Sequence, residues 1–178
     1  VELSWNEPEG INNGTTAETV TEDFESYYPF SITNMGEWTL YDGDKSSTMG
    51  VLDGHGDYVQ YDNVEAPKAY MVFNPSAAGI NTSLYPTHSG KQVAAAFCSG
   101  RVTNDDWLIS PEVDGAQTVK FWACSPDGAY YSTKEQLEVL YSTSGTETAD
   151  FKKLGATISV PTQWQEVSAN LPEGTRYF

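Results

Sequence analysis

The sequence predicts an all-β fold, a β-sandwich of the jelly-roll type or a related two-sheet fold. The stretch 107–109 is a continuous apolar run, Trp-Leu-Ile, which is typical of a strand covered on both faces. The stretch 119–123 alternates apolar side chains with Lys120 and Trp122, as a strand with one fully buried face does. No segment keeps a helical period over three turns. Many short apolar segments separated by Gly and Pro turns favour packed sheets.

The chain opens with a short alternating segment and then becomes polar. Residues 1–9 alternate apolar and polar side chains up to Pro8 and predict one strand. Residues 10–19 are rich in Gly, Asn and Thr, which is the composition of a linker. Because one strand cannot form a domain, 1–9 is expected to belong to a truncated neighbouring module, and its Leu-Ser-Trp resembles a fibronectin type III strand. The main domain is then expected to span 20–178.

Further strands follow in order along this domain. Alternating or apolar segments predict them at 20–26, 38–42, 69–73, 92–98, 107–109, 119–123, 136–142, 157–160 and 164–171. The glycine- and aspartate-rich region 45–67 is expected to form a large surface loop. The polar, tyrosine-bearing region 125–134 is expected to form another loop.

Composition and charge limit the partners of the protein. With 178 residues, 39% of them hydrophobic, the chain can bury one good core, so one main domain is expected. The net charge of −16, from 25 acidic and 9 basic residues, argues against nucleic acid and against an anionic membrane surface. It favours cations, calcium included, and basic proteins, and its self-repulsion favours a monomer. No stretch is long and apolar enough to predict membrane insertion.

Two cysteines are too few for a disulfide scaffold. Cys98 and Cys124 each end an apolar segment. One bridge requires their strands to be neighbours, and free buried thiols are the alternative. The sequence leaves both possibilities open.

A series of seven motifs runs through the chain in order. They are Thr-Glu-Asp-Phe-Glu (21–25), Trp-Thr-Leu-Tyr-Asp-Gly-Asp (38–44), Asp-Asp-Trp-Leu-Ile-Ser-Pro (105–111), Val-Lys-Phe-Trp-Ala (119–123), Glu-Val-Leu-Tyr-Ser-Thr-Ser-Gly (138–145), Trp-Gln-Glu-Val (164–167) and Leu-Pro-Glu-Gly-Thr-Arg-Tyr-Phe (171–178). In this order they resemble the cleaved adhesin domain family and the related choice-of-anchor J domains, which include haemagglutinin/adhesin modules of gingipain-type surface proteases.

This resemblance covers 20–178 and implies a jelly roll like that of galactose-binding domains. It implies a non-catalytic module, carried on large secreted or cell-surface proteins of Gram-negative bacteria. Its implied partners are host or matrix proteins, or glycans. Members of the family usually close with a further strand that carries an acidic pair, and this sequence, ending at Phe178, is expected to lack that strand.

The resemblance also implies bound calcium, and the residues supply candidate ligands. Calcium prefers six to eight oxygen ligands, often at a tight turn. Asp42 and Asp44 flank a glycine and offer two carboxylates, with Glu25 as a third candidate ligand and Asp127 as a further one. A solvated acidic turn is the alternative. For the pair 105–106 the sequence favours a different role, in which the aspartates cap a turn before a strand.

Tyrosines and histidines supply the remaining functional candidates. Tyr130 and Tyr131 lie in a predicted loop, where tyrosine rings suit sugar or protein surfaces. They support an alternative function, a carbohydrate-binding module attached to a surface hydrolase or protease. His55 and His88 lie in glycine-bearing loops without a nucleophile elbow. A hydrolase that uses either histidine is the second alternative, and the sequence predicts no enzyme.

Overall fold

The computed structural model describes residues 3–6, 19–113, 117–126 and 135–178. Ten β-strands lie within these ranges: β1 (Leu3–Asn6), β2 (Thr19–Glu22), β3 (Thr39–Asp42), β4 (Met71–Phe73), β5 (Val93–Ala95), β6 (Asp106–Ile109), β7 (Thr118–Ala123), β8 (Gln136–Tyr141), β9 (Lys152–Ser159) and β10 (Gln165–Asn170). A 3-10 turn, Thr148–Asp150, lies between β8 and β9. The all-β prediction is confirmed, and the jelly-roll arrangement stays a prediction.

The chain forms two compact units. The first contains Asp23–Ile109, and the second contains Glu2–Glu22 together with Ser110–Phe178. Within the described ranges, no helix has both the length and the apolar character needed to cross a bilayer.

The first unit is built from two antiparallel strand pairs and a buried apolar cluster. β3 pairs with β6, and β4 pairs with β5. The segment 45–67 forms isolated β-bridges and contains none of the ten strands, as expected for a large loop. The edge of Phe97 meets the ring of Phe73 at 5.4 Å between centroids. The buried members of the cluster are Val51, Met71, Phe73 and Ile80.

The second unit contains a four-stranded antiparallel sheet in the order β10-β7-β1-β2. Its register explains the alternation seen in the sequence. Leu3 lies opposite Phe121, which lies opposite Val167, so the row is apolar across β1, β7 and β10, while Glu22 continues it on the edge strand β2. The next row, with Lys120 opposite Ser168, is polar. β8 and β9 form a separate antiparallel pair in the same unit.

Strand β1 occupies an inner position of this sheet. It is hydrogen bonded to β2 on one edge and to β7 on the other, and Leu3 is 6% exposed. The sequence predicts that residues 1–9 belong to a neighbouring module, because the polar segment 10–19 separates them from the next strand. The structure instead places β1 within the sheet of the second unit, while the presence of such a module stays a prediction.

Strand β9 is longer than the sequence indicated. The predicted segment 157–160 covers only its end, because Lys152, Lys153 and Gly155 interrupt the apolar pattern. Most of its side chains are exposed, so polar residues are tolerated there. The pairing with β8 is irregular between Leu137 and Val139, and Gly155 has a φ of +75°. A glycine in this left-handed conformation is typical of a β-bulge.

Cys98 and Cys124 do not form a disulfide in the structure. Cys98 is exposed, and Cys124 is partly buried. Of the two possibilities that the sequence left open, the structure shows the unbridged one.

Candidate metal centre

Three aspartates meet where β3 ends and β6 begins. The two strands are antiparallel, so Asp42, the last residue of β3, lies directly opposite Asp106, the first residue of β6. Gly43 then turns the chain and Asp44 follows. One carboxylate oxygen from each of Asp42, Asp44 and Asp106 lies within 4.8 Å of the other two, and all three residues are partly buried.

The turn after β3 is held by hydrogen bonds to two of these carboxylates. Asp42 Oδ1 accepts a bond from the backbone N–H of Lys45 at 2.6 Å. Asp44 Oδ1 accepts one from Ser46 N–H at 2.8 Å, and its Oδ2 accepts one from Asp105 N–H at 3.0 Å. Aspartate commonly bonds the backbone of its own turn in this way. The same bonds fix the direction in which the carboxylates point.

Gly43 allows the turn to approach the neighbouring chain closely. Its N–H donates to the carbonyl oxygen of Asp105 at 2.8 Å. A Cβ atom at this position would lie 2.1 Å from Asp105 Oδ2, which is inside van der Waals contact. Any other residue at this position would therefore force the Asp105 carboxylate to move.

Asn104 and Trp107 support the other side of the group. Asn104 Nδ2 donates to Asp106 Oδ2 at 2.7 Å and to the carbonyl oxygen of Phe97 at 2.8 Å. Trp107 Nε1 donates to Asp105 Oδ1 at 2.7 Å. The carboxylate of Asp105 thus bonds the indole of Trp107, while its backbone bonds the turn at Gly43 and Asp44, and the turn-capping role expected for it stays a prediction.

Asp106 is in an environment that opposes its negative charge. Its Oδ1 is buried and has no hydrogen-bond partner within the described ranges. The pKa of this carboxyl is raised to about 7, by burial first and then by the charges of Asp44 and Asp42, while the bond from Asn104 acts in the opposite direction. A buried acceptor without a partner costs free energy. A cation bound among the three carboxylates would relieve both the repulsion and the missing contact.

Lys68, a buried cation of the same unit, forms its hydrogen bonds with groups other than the three aspartates. Its Nζ donates to Thr48 Oγ1 and to the carbonyl oxygens of Asn63 and Ala66, at 3.2 and 3.1 Å. Burial lowers the pKa of Lys68 to about 8, while the charges of Asp106 and Glu65 oppose that shift. No salt bridge between Lys68 and Asp106 is present in the described part of the chain.

The chemistry of the group fits calcium. All of the ligand atoms that the group offers to a metal are carboxylate oxygens. They suit a hard cation that prefers six to eight oxygen ligands. Zinc sites usually include histidine or cysteine ligands, and the three grouped residues are all aspartates. Three carboxylates supply part of a calcium shell, and carbonyl oxygens or water could supply the rest.

The structure brings two of the predicted calcium ligands together and leaves Glu25 out of the group. Asp42 and Asp44 come together, as expected from the Asp-Gly-Asp turn. Glu25 lies outside the group, because its Oε1 accepts bonds from the backbone N–H groups of Lys91 and Gln92 at 2.7 and 2.9 Å. Its role as a ligand stays a prediction. The other candidates, Asp127 and the tyrosine pair 130–131, lie outside the described residues.

Sequence reasoning missed Asp106. The sequence favours turn capping for Asp105 and Asp106 alike, whereas the structure groups the carboxylate of Asp106 with those of Asp42 and Asp44. A usable signal was present, since β3 and β6 both carry aspartate at one end. Antiparallel pairing of these strands brings the end of one to the start of the other.

Replacing Asp106 with asparagine is expected to stabilise the metal-free domain. Asp106→Asn keeps a side-chain oxygen that can accept the hydrogen bond from Asn104. It removes the charge repulsion from Asp42 and Asp44. Its amide N–H group can also donate a hydrogen bond to one of these two carboxylates. We expect a gain on the order of 1 kcal/mol, or about 2–4 °C in melting temperature for a chain of this length. Thermal unfolding in EDTA measures it. A fall in melting temperature would contradict the repulsion, and Asp62→Asn, at an exposed position, is the control.

Comparison with known proteins relates this chain to one family. The family model described as Cleaved Adhesin Domain matches residues 60–178. Lys-gingipain of Porphyromonas gingivalis is 28% identical over 205 residues, which cover 99% of this chain and 10% of that protein. Gingipain R1 of the same species is 27% identical over 209 residues, with the same coverage. The chain thus spans about a tenth of the length of each of these relatives.

A solved structure agrees with the fold. The K2 cleaved adhesin domain of Lys-gingipain superposes with a TM-score of 0.61 and 21% sequence identity. The match covers 88% of this chain and 84% of that domain. At this identity the likeness supports the all-β fold, and the residues of the site have to be argued from the chain itself.

Proposed function

This chain belongs to the cleaved adhesin domain family, and on that premise we propose that it is a non-catalytic binding module that serves adhesion. The family match over residues 60–178 carries the proposal. Its relatives are about ten times longer, which supports a role as one module of a larger protein. Because those relatives are gingipains of a Gram-negative bacterium, the proposed location is the cell surface or the secreted fraction.

The proposed partners are host or matrix proteins, or glycans. The net charge of −16 favours surfaces with basic patches, because complementary charge speeds and orients association. The same charge disfavours nucleic acid and anionic lipid. Binding by a module of this kind requires no chemistry at His55 or His88.

Calcium is proposed to have a structural role at the candidate metal centre. Asp42, Asp44 and Asp106 would bind the ion, and its chemistry would be the neutralisation of three clustered carboxylates. The proposal is supported by the grouped oxygens and by the unpartnered Oδ1 of Asp106. In this position the ion would join the turn after β3 to the start of β6, and so stabilise the loop that follows Asp44.

Adhesion is tested directly with the chain immobilised on a surface. Erythrocytes, epithelial cells and the matrix proteins fibronectin, laminin and collagen are passed over it in calcium. We expect saturable binding to at least one of them and none to an unrelated all-β domain of similar charge. The variant His55→Ala/His88→Ala is expected to bind equally well. Absence of saturable binding to every cell and protein tested would refute the adhesive function.

A further inference from the structure

A cavity of about 410 Å³ opens on the surface of the first unit. We call it the loop groove, and the lining residues that carry the argument are Met49, Gly50, Tyr58, Glu65, Gly100 and Arg101. All of them belong to the unit Asp23–Ile109. The loop groove is separate from the three aspartates of the candidate metal centre, which are not among its lining residues.

Backbone hydrogen bonds fix the shape of the loop groove. Met49 N–H donates to the carbonyl oxygen of Cys98 at 2.8 Å, and Val59 N–H donates to that of Val51 at 3.0 Å. Leu52 also forms a bridge with Tyr58. The segments that form the walls are therefore connected to each other, which gives the groove a preformed shape. Most ligand sites in proteins are preformed in this way.

Two glycines keep the loop groove open. A Cβ on Gly50 would lie 3.2 Å from Val64 Cγ2 and 3.3 Å from Tyr58 Cδ1. A Cβ on Gly100 would lie 3.6 Å from Met49 Cγ. Side chains at these positions would fill space beside the exposed ring and thioether, so the glycines leave room for a ligand there.

One wall of the loop groove is an exposed aromatic side chain. Tyr58 is 54% exposed and Met49 is 37% exposed. A tyrosine ring offers a flat apolar face with a polar tip. The C–H face of a pyranose ring is a suitable partner for such a surface, because it is apolar while its hydroxyls point outward.

The other walls carry one charge of each sign. Glu65 and Arg101 both line the groove, and within the described ranges no salt bridge involves either of them. Glu65 has a φ of +52°, a conformation that costs free energy for a residue other than glycine and is often found at functional sites. A carboxylate only accepts hydrogen bonds and a guanidinium only donates them.

We propose that the loop groove is a glycan-binding site that takes a neutral hexose, with the sugar ring against Tyr58 and its hydroxyls shared between Glu65 and Arg101. A hydroxyl both donates and accepts, so one uncharged sugar satisfies both walls. An anionic sugar would be repelled by Glu65 and by the charge of the whole protein, whereas an uncharged sugar meets no like charge on either wall. The inference rests on the proposed adhesive function and names its ligand class.

Titration of the whole chain with neutral sugars tests the proposal. The probes are galactose, glucose, mannose and N-acetylglucosamine, and binding is followed by chemical-shift changes in ¹H–¹⁵N NMR spectra. We expect dissociation constants in the millimolar range for at least one sugar, as for other ligands of this size. Tyr58→Ala and, independently, Arg101→Gln should each weaken binding about tenfold or more.

A second tyrosine provides the matched control. Tyr28 is 86% exposed and does not line the loop groove, so Tyr28→Ala should leave sugar binding unchanged. All variants are first compared by thermal unfolding, and Arg101→Gln serves if Tyr58→Ala fails to fold. Absence of binding to every sugar, or equal binding by wild type, Tyr58→Ala and Arg101→Gln, would overturn the proposal.

The same variants separate this inference from the proposed function. Cell adhesion that no sugar inhibits and that Tyr58→Ala retains would overturn the glycan site, assign adhesion to protein contacts and leave the adhesive function standing. Sugar binding through the loop groove without adhesion to any cell or matrix protein would support the glycan site and refute the adhesive function.

Discussion

The melting temperature of the domain is expected to rise by about 5–10 °C when millimolar calcium replaces EDTA. An ion bound only by the folded state, at about 100 times its dissociation constant, adds about 2.7 kcal/mol to the free energy of unfolding. For a chain of this length each kcal/mol corresponds to about 2–4 °C. The gain is expected here because three partly buried carboxylates lie together and one oxygen lacks a partner. Thermal unfolding followed by circular dichroism measures the shift.

The double change Asp42→Asn/Asp44→Asn should abolish this calcium effect. Asparagine keeps an oxygen that can accept from the backbone N–H groups of Lys45 and Ser46, so the turn should survive while two negative charges are lost. Glu25→Gln is the matched control, since its carboxylate bonds the chain near Gln92 and not the aspartate group. If Glu25→Gln also removes the shift, Glu25 is a ligand as the sequence predicted. An unchanged shift in the double variant would place calcium elsewhere.

The sequence identified two of the three grouped aspartates, for a physical reason. Asp42 and Asp44 are adjacent to one glycine, so a local motif revealed them. Asp106 is distant in sequence and reaches them only through the antiparallel register of β3 and β6, which no local pattern determines. Glu25 depends on distant neighbours too. The family resemblance implies a ligand there, which stays a prediction, and its bonds to the backbone N–H groups of residues 91 and 92 link positions 66 and 67 residues apart.

The strands show the same difference between features that local sequence determines and features that tertiary contacts determine. β7 was predictable because its alternation matches the burial of Val119 and Phe121. β9 was predictable only at its end, since an exposed strand tolerates lysine and glycine and therefore loses the apolar signal. The place of β1 in the sheet could not be predicted, because pairing across the polar segment 10–19 is a tertiary contact.

Replacing Phe24 with alanine is expected to destabilise the first unit by about 3–5 kcal/mol, the usual cost of truncating a buried aromatic side chain. Phe24 is 0% exposed, and its ring lies 5.7 Å from that of Trp38 and 6.1 Å from that of Tyr27. Its carbonyl oxygen accepts a bond from Gln92 Nε2 at 2.7 Å. The cavity would form in a closely packed region, so little relaxation is expected. Urea unfolding measures the loss.

Two variants show whether this loss arises from packing. Phe24→Leu keeps most of the buried volume and should lose less than Phe24→Ala, whereas Tyr28→Ala, at an exposed position, should change stability by less than about 0.5 kcal/mol. The calcium-induced shift should persist in Phe24→Ala. The carbonyl oxygen of Phe24 bonds Gln92, and Phe24 supplies no carboxylate to the group of three aspartates. Equal stability of Phe24→Ala and wild type would mean that Phe24 does not belong to the core, and the opening Asp-Phe-Glu motif would then require another explanation.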